Sequence, residues 1–433
     1  VRKKALEIKK NGQGISKIQV ETQIKNNDDN VSRDGRSKSM AQSSAKNKNI
    51  KLENVLILQG GGSLGAFGCG VFKALTNNNI KTDIVAGTSI GGINAAIIAG
   101  SKDDEHPELA LEQFWLELSE GFINLDKQGE NYFSVPSSSS ITDAEEQAIK
   151  KKQLMSFYSS AVFGNAKMFQ PRWNKENTLS ELAHFAPQNW TYMYDLSPLI
   201  KTLDKYIDYN KLKPGGNPDL RLILTAVNIL TAEPLTFDSF EQQIKPKHIL
   251  ATSAYPLYNF PWVEVDNGVY AWDGGLLSNT PLREVIDASP VNDKRICIVE
   301  NYPKKVNALP KNLPEVYHRA RDIIFSDKTQ HNVAMARVIS RYLVYIEELY
   351  KVLENNIDRI NIDQNHLKRI RRKYKKYKQE RGAEIKDIIY VTRDEPFPHM
   401  YENADFSPET IKGSIKEGET KTNEVLKERH VNS

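Results

Sequence analysis

Gly87-Thr88-Ser89-Ile90-Gly91 sets one serine in a G-x-S-x-G pentapeptide. A serine hydroxyl becomes a nucleophile when a base takes its proton and the backbone presents its oxygen to substrate. Between a strand and a helix this spacing gives a sharp turn, which lifts the serine oxygen above the sheet at a helix N-terminus. Alone, the pentapeptide also fits a structural glycine turn with an incidental serine. A second stretch, Gly60-Gly61-Gly62-Ser63-Leu64-Gly65, fits G-x-G-x-x-G. A dinucleotide site there needs an acid near the end of the next strand to hold a ribose. That strand ends in Ala86-Gly87-Thr88-Ser89, and its only acid, Asp83, lies at its start. The other reading is a loop whose backbone N–H groups face an anion, which in an acyl hydrolase is the oxyanion of the tetrahedral intermediate. The third stretch is Asp273-Gly274-Gly275, followed by Asn279 and Pro281, and by itself it is a turn signature.

The elements that must hold these residues are legible from hydrophobic pattern. Asn54 to Leu58 is a continuous apolar run, as in a strand buried on both faces. The glycine cluster follows, and Leu64 to Leu75 reads as a helix. Thr82 to Ala86 is a second short strand, Gly87 to Gly91 the turn, and Gly92 to Ala99 an apolar helix. The order β-α-β-α predicts an α/β fold, a mainly parallel sheet flanked by helices. Leu220 to Val227, Arg295 to Val299 and Ile388 to Val391 are later strand candidates. Ile339, Leu343, Ile346, Tyr350, Leu353, Ile357 and Ile360 form a stripe suited to a long helix packed on a neighbour.

Composition divides the chain. Residues 1–50 hold twelve Lys/Arg against five Asp/Glu and few aromatics, which predicts a disordered basic tail. Residues 51–313 form the expected catalytic domain. Residues 314–433 form a helical C-terminal extension with a basic helix and a disordered end. Residues 126–153 read as a loop or insertion. The basic stretch 368–378 holds eight Lys/Arg and no acid, although the net charge of the chain is only +4. Its apolar positions Leu367, Ile370, Tyr374 and Tyr377 share one helical face. That face can pack on a neighbouring helix, or the segment can lie on an anionic membrane surface. Nucleic acid is not an expected partner, because no aromatic platform or reading motif accompanies the charge. Cys69 and Cys297 lie in apolar runs and read as buried free thiols. The sequence shows no secretory signal or transmembrane helix, which gives the expectation of a cytoplasmic protein that meets membranes from the surface.

Taken in order, the three motifs resemble those of the patatin-like phospholipase family. The resemblance extends to Leu58-Gln59 before the glycines, to Ala251-Thr252-Ser253-Ala254-Tyr255-Pro256, and to Ile324-Phe325-Ser326-Asp327-Lys328-Thr329, covering roughly residues 52–330. It implies a lipid acyl hydrolase acting on carboxylic esters. Ser89 and Asp273 would form a catalytic dyad, with an oxyanion hole from the backbone of Gly60, Gly61 and Gly62. It implies no cofactor and no metal for the chemistry. Many members have arginine where Leu64 stands. An aspartate of ordinary pKa, about 3.9, is a poor base for a serine, so Asp273 must be buried to serve. Trp272, Leu276 and Leu277 flank it and offer that setting. Two rival readings are a non-catalytic membrane-binding scaffold and an α/β-hydrolase triad of Ser89, Asp273 and one of His318, His331 or His399. His318 and His331 lie in charged helical sequence and read as surface residues. Met155 to Trp173, rich in aromatics, suits either an acyl-binding wall or plain core.

Overall fold

A computed structural model describes residues 51–121, 151, 154–174, 190–306, 308–326, 329–381, 383–395 and 402–432. The expected tail at 1–50, nearly all of the 126–153 insertion, and His399 lie outside the described residues.

β1 (Leu52–Leu58) is an interior strand of the sheet. Val55 and Ile57 pack on one face, Leu56 and Leu58 on the other, so the continuous apolar run is buried on both sides. A 3-10 turn at Gly62–Leu64 leads into α1 (Gly65–Asn77). Then come β2 (Ile84–Gly87), α2 (Ile90–Gly100), α3 (Pro107–Glu120) and α4 (Ser197–Tyr206). β3 (Arg221–Asn228) and β4 (Pro234–Asp238) form a hairpin, followed by α5 (Pro246–Ser253), β5 (Val263–Glu264) and β6 (Tyr270–Asp273). α6 (Leu282–Ala288) and β7 (Asp293–Glu300) complete the core. The sheet order is β8-β7-β1-β2-β3-β6-β5, where β8 is Ile385–Thr392 and β4 pairs β3. The β8/β7, β7/β1, β1/β2 and β2/β3 pairings are parallel. Those at β4, β5 and β6 are antiparallel. This is the mainly parallel α/β sheet expected from the β-α-β-α pattern.

One register relation positions the site. Gly87 at the end of β2 stands opposite Leu224, and Asp273 at the end of β6 stands opposite Ala226. β4 occupies the other edge of β3 over the same residues. β2 and β6 therefore meet end to end along one edge of β3, and their turns face each other.

The remaining chain returns to this core. α7 (Leu313–Phe325), α8 (Thr329–Asn355) and α9 (Gln364–Arg381) precede β8, which pairs with β7. Tyr350 of α8 stacks on Tyr374 of α9, ring centroids 3.7 Å apart. Leu343 and Leu353 of the expected stripe are half-buried, whereas Ile339 and Ile346 stay exposed. The disordered end expected after β8 is instead α10 (Pro408–Asn432). Its charges mask an apolar edge of Ile411, Ile415 and Leu426, all buried. Glycine lets it approach α1 closely: a Cβ on Gly418 would lie 2.2 Å from the Phe67 carbonyl oxygen, and one on Gly70 1.9 Å from that of Ile415. Cys69 and Cys297 are buried and free. No described helix is long and apolar enough to cross a membrane.

Candidate functional site

The G-x-S-x-G turn joins β2 to α2 under steric constraint. A Cβ on Gly87 would lie 2.2 Å from the Gly91 carbonyl oxygen, and one on Gly91 2.2 Å from that of Leu58. Only glycine fits at either position. Ser89 takes φ 57°, ψ −131°, a region that costs a residue with a side chain about 1–3 kcal/mol. The surrounding bonds hold it there. Ser89 N donates to Thr252 Oγ1 at 3.1 Å, and the Thr88 and Thr225 hydroxyls meet at 2.7 Å.

Asp273 comes in from β6. Its backbone N–H donates to the Ala254 carbonyl at 3.1 Å, and its Oδ1 accepts the Gly275 N–H at 2.7 Å. The Ser89 side chain lies close enough to its carboxylate to favour the charged form. Asp273 is fully buried, and burial raises its pKa to about 7 against the lowering effect of Ser89 and the Gly275 N–H. Of the three residues expected to bury it, Trp272 is half-buried against the core, while Leu276 and Leu277 are 37% and 51% exposed. Its surroundings are β3 and the end of α5, with Ala226 opposite it and Tyr255 close by. Gly274 presses on β3, where a Cβ would lie 2.6 Å from Thr225 Oγ1.

The glycine loop lies against Ser89, since a Cβ on Gly60 would come within 2.8 Å of the Ser89 Cβ. The structure corrects the expectation that all three glycines offer a free N–H. Gly60 N already donates to Asn279 Oδ1 at 3.0 Å, so it is not available to an oxyanion. Among the described residues, no acceptor takes the N–H of Gly61 or Gly62. Gly61 has φ 154° and Gly62 φ 59°, values that turn successive N–H groups without a Cβ penalty. Asn301 Nδ2 donates to the Gly60 carbonyl at 3.1 Å. Leu64, where arginine is common, is buried with Tyr255, Tyr302 and Phe325. A strap at Glu402–Ala404 closes over the loop. Ser63 Oγ donates to the Glu402 carbonyl at 2.8 Å, and the Asn403 carbonyl abuts Gly62.

Among the described residues no histidine is hydrogen-bonded to Ser89 or Asp273. His248 is buried, stacks on Phe237 and faces Asp266 at 2.8 Å. His318, expected at the surface, is buried in α7 among charged partners. Met155 to Trp173 divides between the two readings. Met168 and Phe169 belong to the core, while Tyr158, Val162 and Phe163 are exposed.

Sequence reasoning missed the Asn279 and Asn301 clamps on Gly60. Asn279 was visible only as a neighbour of the D-G-G turn, and its partner lies 219 residues away.

Comparison with known proteins gives one family match: the family model described as patatin-like phospholipase aligns with residues 56–286, over half of the chain. A patatin-like phospholipase domain-containing protein of Coccidioides immitis is 41% identical over 59 residues, 14% of this chain and 8% of that protein. Among solved structures, VipD from Legionella pneumophila is similar at 15% identity with TM-score 0.35, over 88% of this chain and 67% of VipD. The type III effector ExoU is similar at 11% identity with TM-score 0.27, over 88% of this chain and 53% of that one. A second ExoU structure, in complex with SpcU from Pseudomonas aeruginosa, is 18% identical with TM-score 0.25, over 58% of this chain and 44% of that one.

Proposed function

The chain belongs to the patatin-like phospholipase family, and from that premise we propose that it hydrolyses carboxylic esters of lipids through a Ser89–Asp273 dyad. One observation carries this reading: the side chain of a strained turn serine lies close to a fully buried carboxylate whose pKa is raised to about 7. At that value Asp273 is about half ionised at pH 7 and basic enough to accept a proton. Phospholipids or lysophospholipids are the preferred substrate class, with neutral acylglycerols second. Exposed Leu276 and Leu277, just after Asp273, suit an apolar substrate.

In the proposed mechanism Ser89 Oγ attacks the ester carbonyl carbon as its proton passes to Asp273. The N–H groups of Gly61 and Gly62 hold the resulting oxyanion at the N-terminus of α2, and Asn279 and Asn301 fix the loop that presents them. Collapse expels the alcohol or lysolipid, which takes the proton from Asp273. Water then attacks the acyl-serine and gives a proton to Asp273, and that proton returns to Ser89 Oγ. No metal or cofactor enters these steps.

The test combines labelling by a fluorophosphonate with mass-spectrometric product analysis on mixed lipids, wild type beside Ser89→Ala. The reading expects labelling and free fatty acid from wild type only. Equal lipid turnover by Ser89→Ala would end it.

A further inference from the structure

Behind the glycine loop, side chains from three segments converge on one buried point. His318, Arg321 and Asp322 come from α7, Arg393 and Glu395 follow β8, and Glu402 opens the strap. One nitrogen of His318 and one carboxylate oxygen each of Asp322, Glu395 and Glu402 lie within 4.8 Å of one another. The Asp322, Glu395 and Glu402 side chains are 1%, 3% and 8% exposed.

The guanidiniums grip this cluster from outside. Arg321 Nη2 donates to Asp322 Oδ1 at 3.0 Å and to Glu402 Oε1 at 2.9 Å. Arg393 Nη2 donates to the same Glu402 oxygen at 2.9 Å and to Glu395 Oε1 at 3.2 Å. The second oxygens, Asp322 Oδ2 and Glu395 Oε2, are shielded from water and have no hydrogen-bond partner among the described residues. Three carboxyl groups share this buried place with two guanidiniums, so a third negative charge there is costly unless a proton or a cation answers it. A single proton bridges only one pair of oxygens, whereas a cation can take an oxygen from each carboxylate at once.

We propose that Asp322, Glu395 and Glu402 bind an oxygen-preferring divalent cation of the Mg2+ or Mn2+ kind. An all-carboxylate ligand set favours such hard ions. Arg321 and Arg393 orient the ligands through their other oxygens, as outer partners do in metal sites. His318 joins them in that role. Its Nδ1 lies 2.7 Å from Arg321 Nη2 and accepts there, so a neutral ring keeps its proton on Nε2, 3.0 Å from Glu395. The ion ties α7 and the end of β8 to the strap whose carbonyls seat Ser63 and Gly62. It braces the oxyanion loop and takes no part in making or breaking bonds.

The experiment titrates Mn2+ into chelator-treated full-length chain, read by electron paramagnetic resonance and by thermal unfolding. Wild type should show one saturable site and a rise in Tm of roughly 3 °C at a hundredfold excess over Kd. Asp322→Asn and Glu395→Gln should lose both signals. Glu395→Gln keeps the shape and removes one of the three crowded carboxyl groups, so its metal-free Tm should equal or exceed that of wild type, which establishes that it folds. Absence of a saturable response in wild type overturns the proposal, as does an equal response in the folded Glu395→Gln variant. Binding confined to Zn2+ overturns the assignment to an oxygen-preferring ion.

Discussion

Asn279 Oδ1 accepts the backbone N–H of Gly60 at 3.0 Å and so joins the turn that carries Asp273 to the loop beside Ser89. Both residues are buried, and Asn301 grips the Gly60 carbonyl as well. The two halves of the proposed dyad and the oxyanion donors are thereby held as one unit. Asn279→Ala removes the acceptor and leaves a buried N–H unpaired, a cost of about 1–3 kcal/mol in stability. The loop then loses its fixed position. We expect kcat to fall by about 10²–10³, the size of a lost oxyanion donor, with KM little changed. Steady-state kinetics on a soluble ester check this. A change confined to KM would assign Asn279 to substrate binding instead.

Ser89→Ala and Asp273→Asn should each abolish esterase activity, and the double variant should be scarcely worse than either single one. Residues that act as a unit are non-additive in this way. The comparison of all three on one soluble ester decides it, since multiplicative losses would mean that the two residues act independently.

The pH dependence follows from Asp273. Its pKa is raised to about 7, and the ionised form is the base, so kcat/KM should fall about tenfold per unit as pH drops below about 7. Stability runs the opposite way. Between the unfolded pKa of about 3.9 and the folded value near 7, the native state binds more protons than the unfolded chain. The contribution of Asp273 to stability is therefore greatest at or below pH 4 and is lost as pH rises to 7. Asp273→Asn should raise Tm relative to wild type at pH 8, and the gain should vanish towards pH 4. A Tm difference that is flat across this range would show that the carboxylate keeps an ordinary pKa.

What the sequence made legible was local. β1, β2 and the serine turn rest on apolar runs and on glycines a few residues apart, where backbone sterics alone decide. The partners that complete the site come from far along the chain. Asn279 and Asn301 reach Gly60 across more than two hundred residues, so neighbouring sequence carries no sign of the clamp. His318 read as a surface residue because its own helix is charged, but Glu395 reaches it from beyond β8. α10 was hidden for the converse reason, since Lys and Glu dominate its composition while Ile411, Ile415 and Leu426 keep one edge apolar. Leu276 and Leu277 stand next to Asp273 in sequence yet point to solvent, because β6 delivers the carboxylate alone into the interior.

The basic helix α9 gives the last prediction. Its apolar side is only partly used: Leu367 is buried and Tyr374 stacks on Tyr350, while Tyr377 remains exposed. Arg371 pairs with Glu354, and Lys378 with Glu347, so at least two of the eight cations answer acids on α8. Lys368, Arg372, Lys373 and Lys375 project outward. Tyr342, Tyr345, Leu349 and Val352 of α8 are exposed as well. Exposed apolar and cationic side chains on adjoining helices suit the interfacial zone of an anionic bilayer, where the substrate of a lipid hydrolase resides. Each basic residue near such a surface contributes about 1 kcal/mol, an effect that decays within a Debye length. Changing Arg372, Lys373 and Lys375 to Gln should thus weaken binding to anionic vesicles by about 10²-fold at low salt. Raising the salt should shrink that difference, and activity on a soluble ester should stay unchanged. Vesicle sedimentation with anionic and neutral lipid, at two salt concentrations, reads both effects. Equal binding of wild type and variant to the two lipids would mean that the charges serve only as a solvated face.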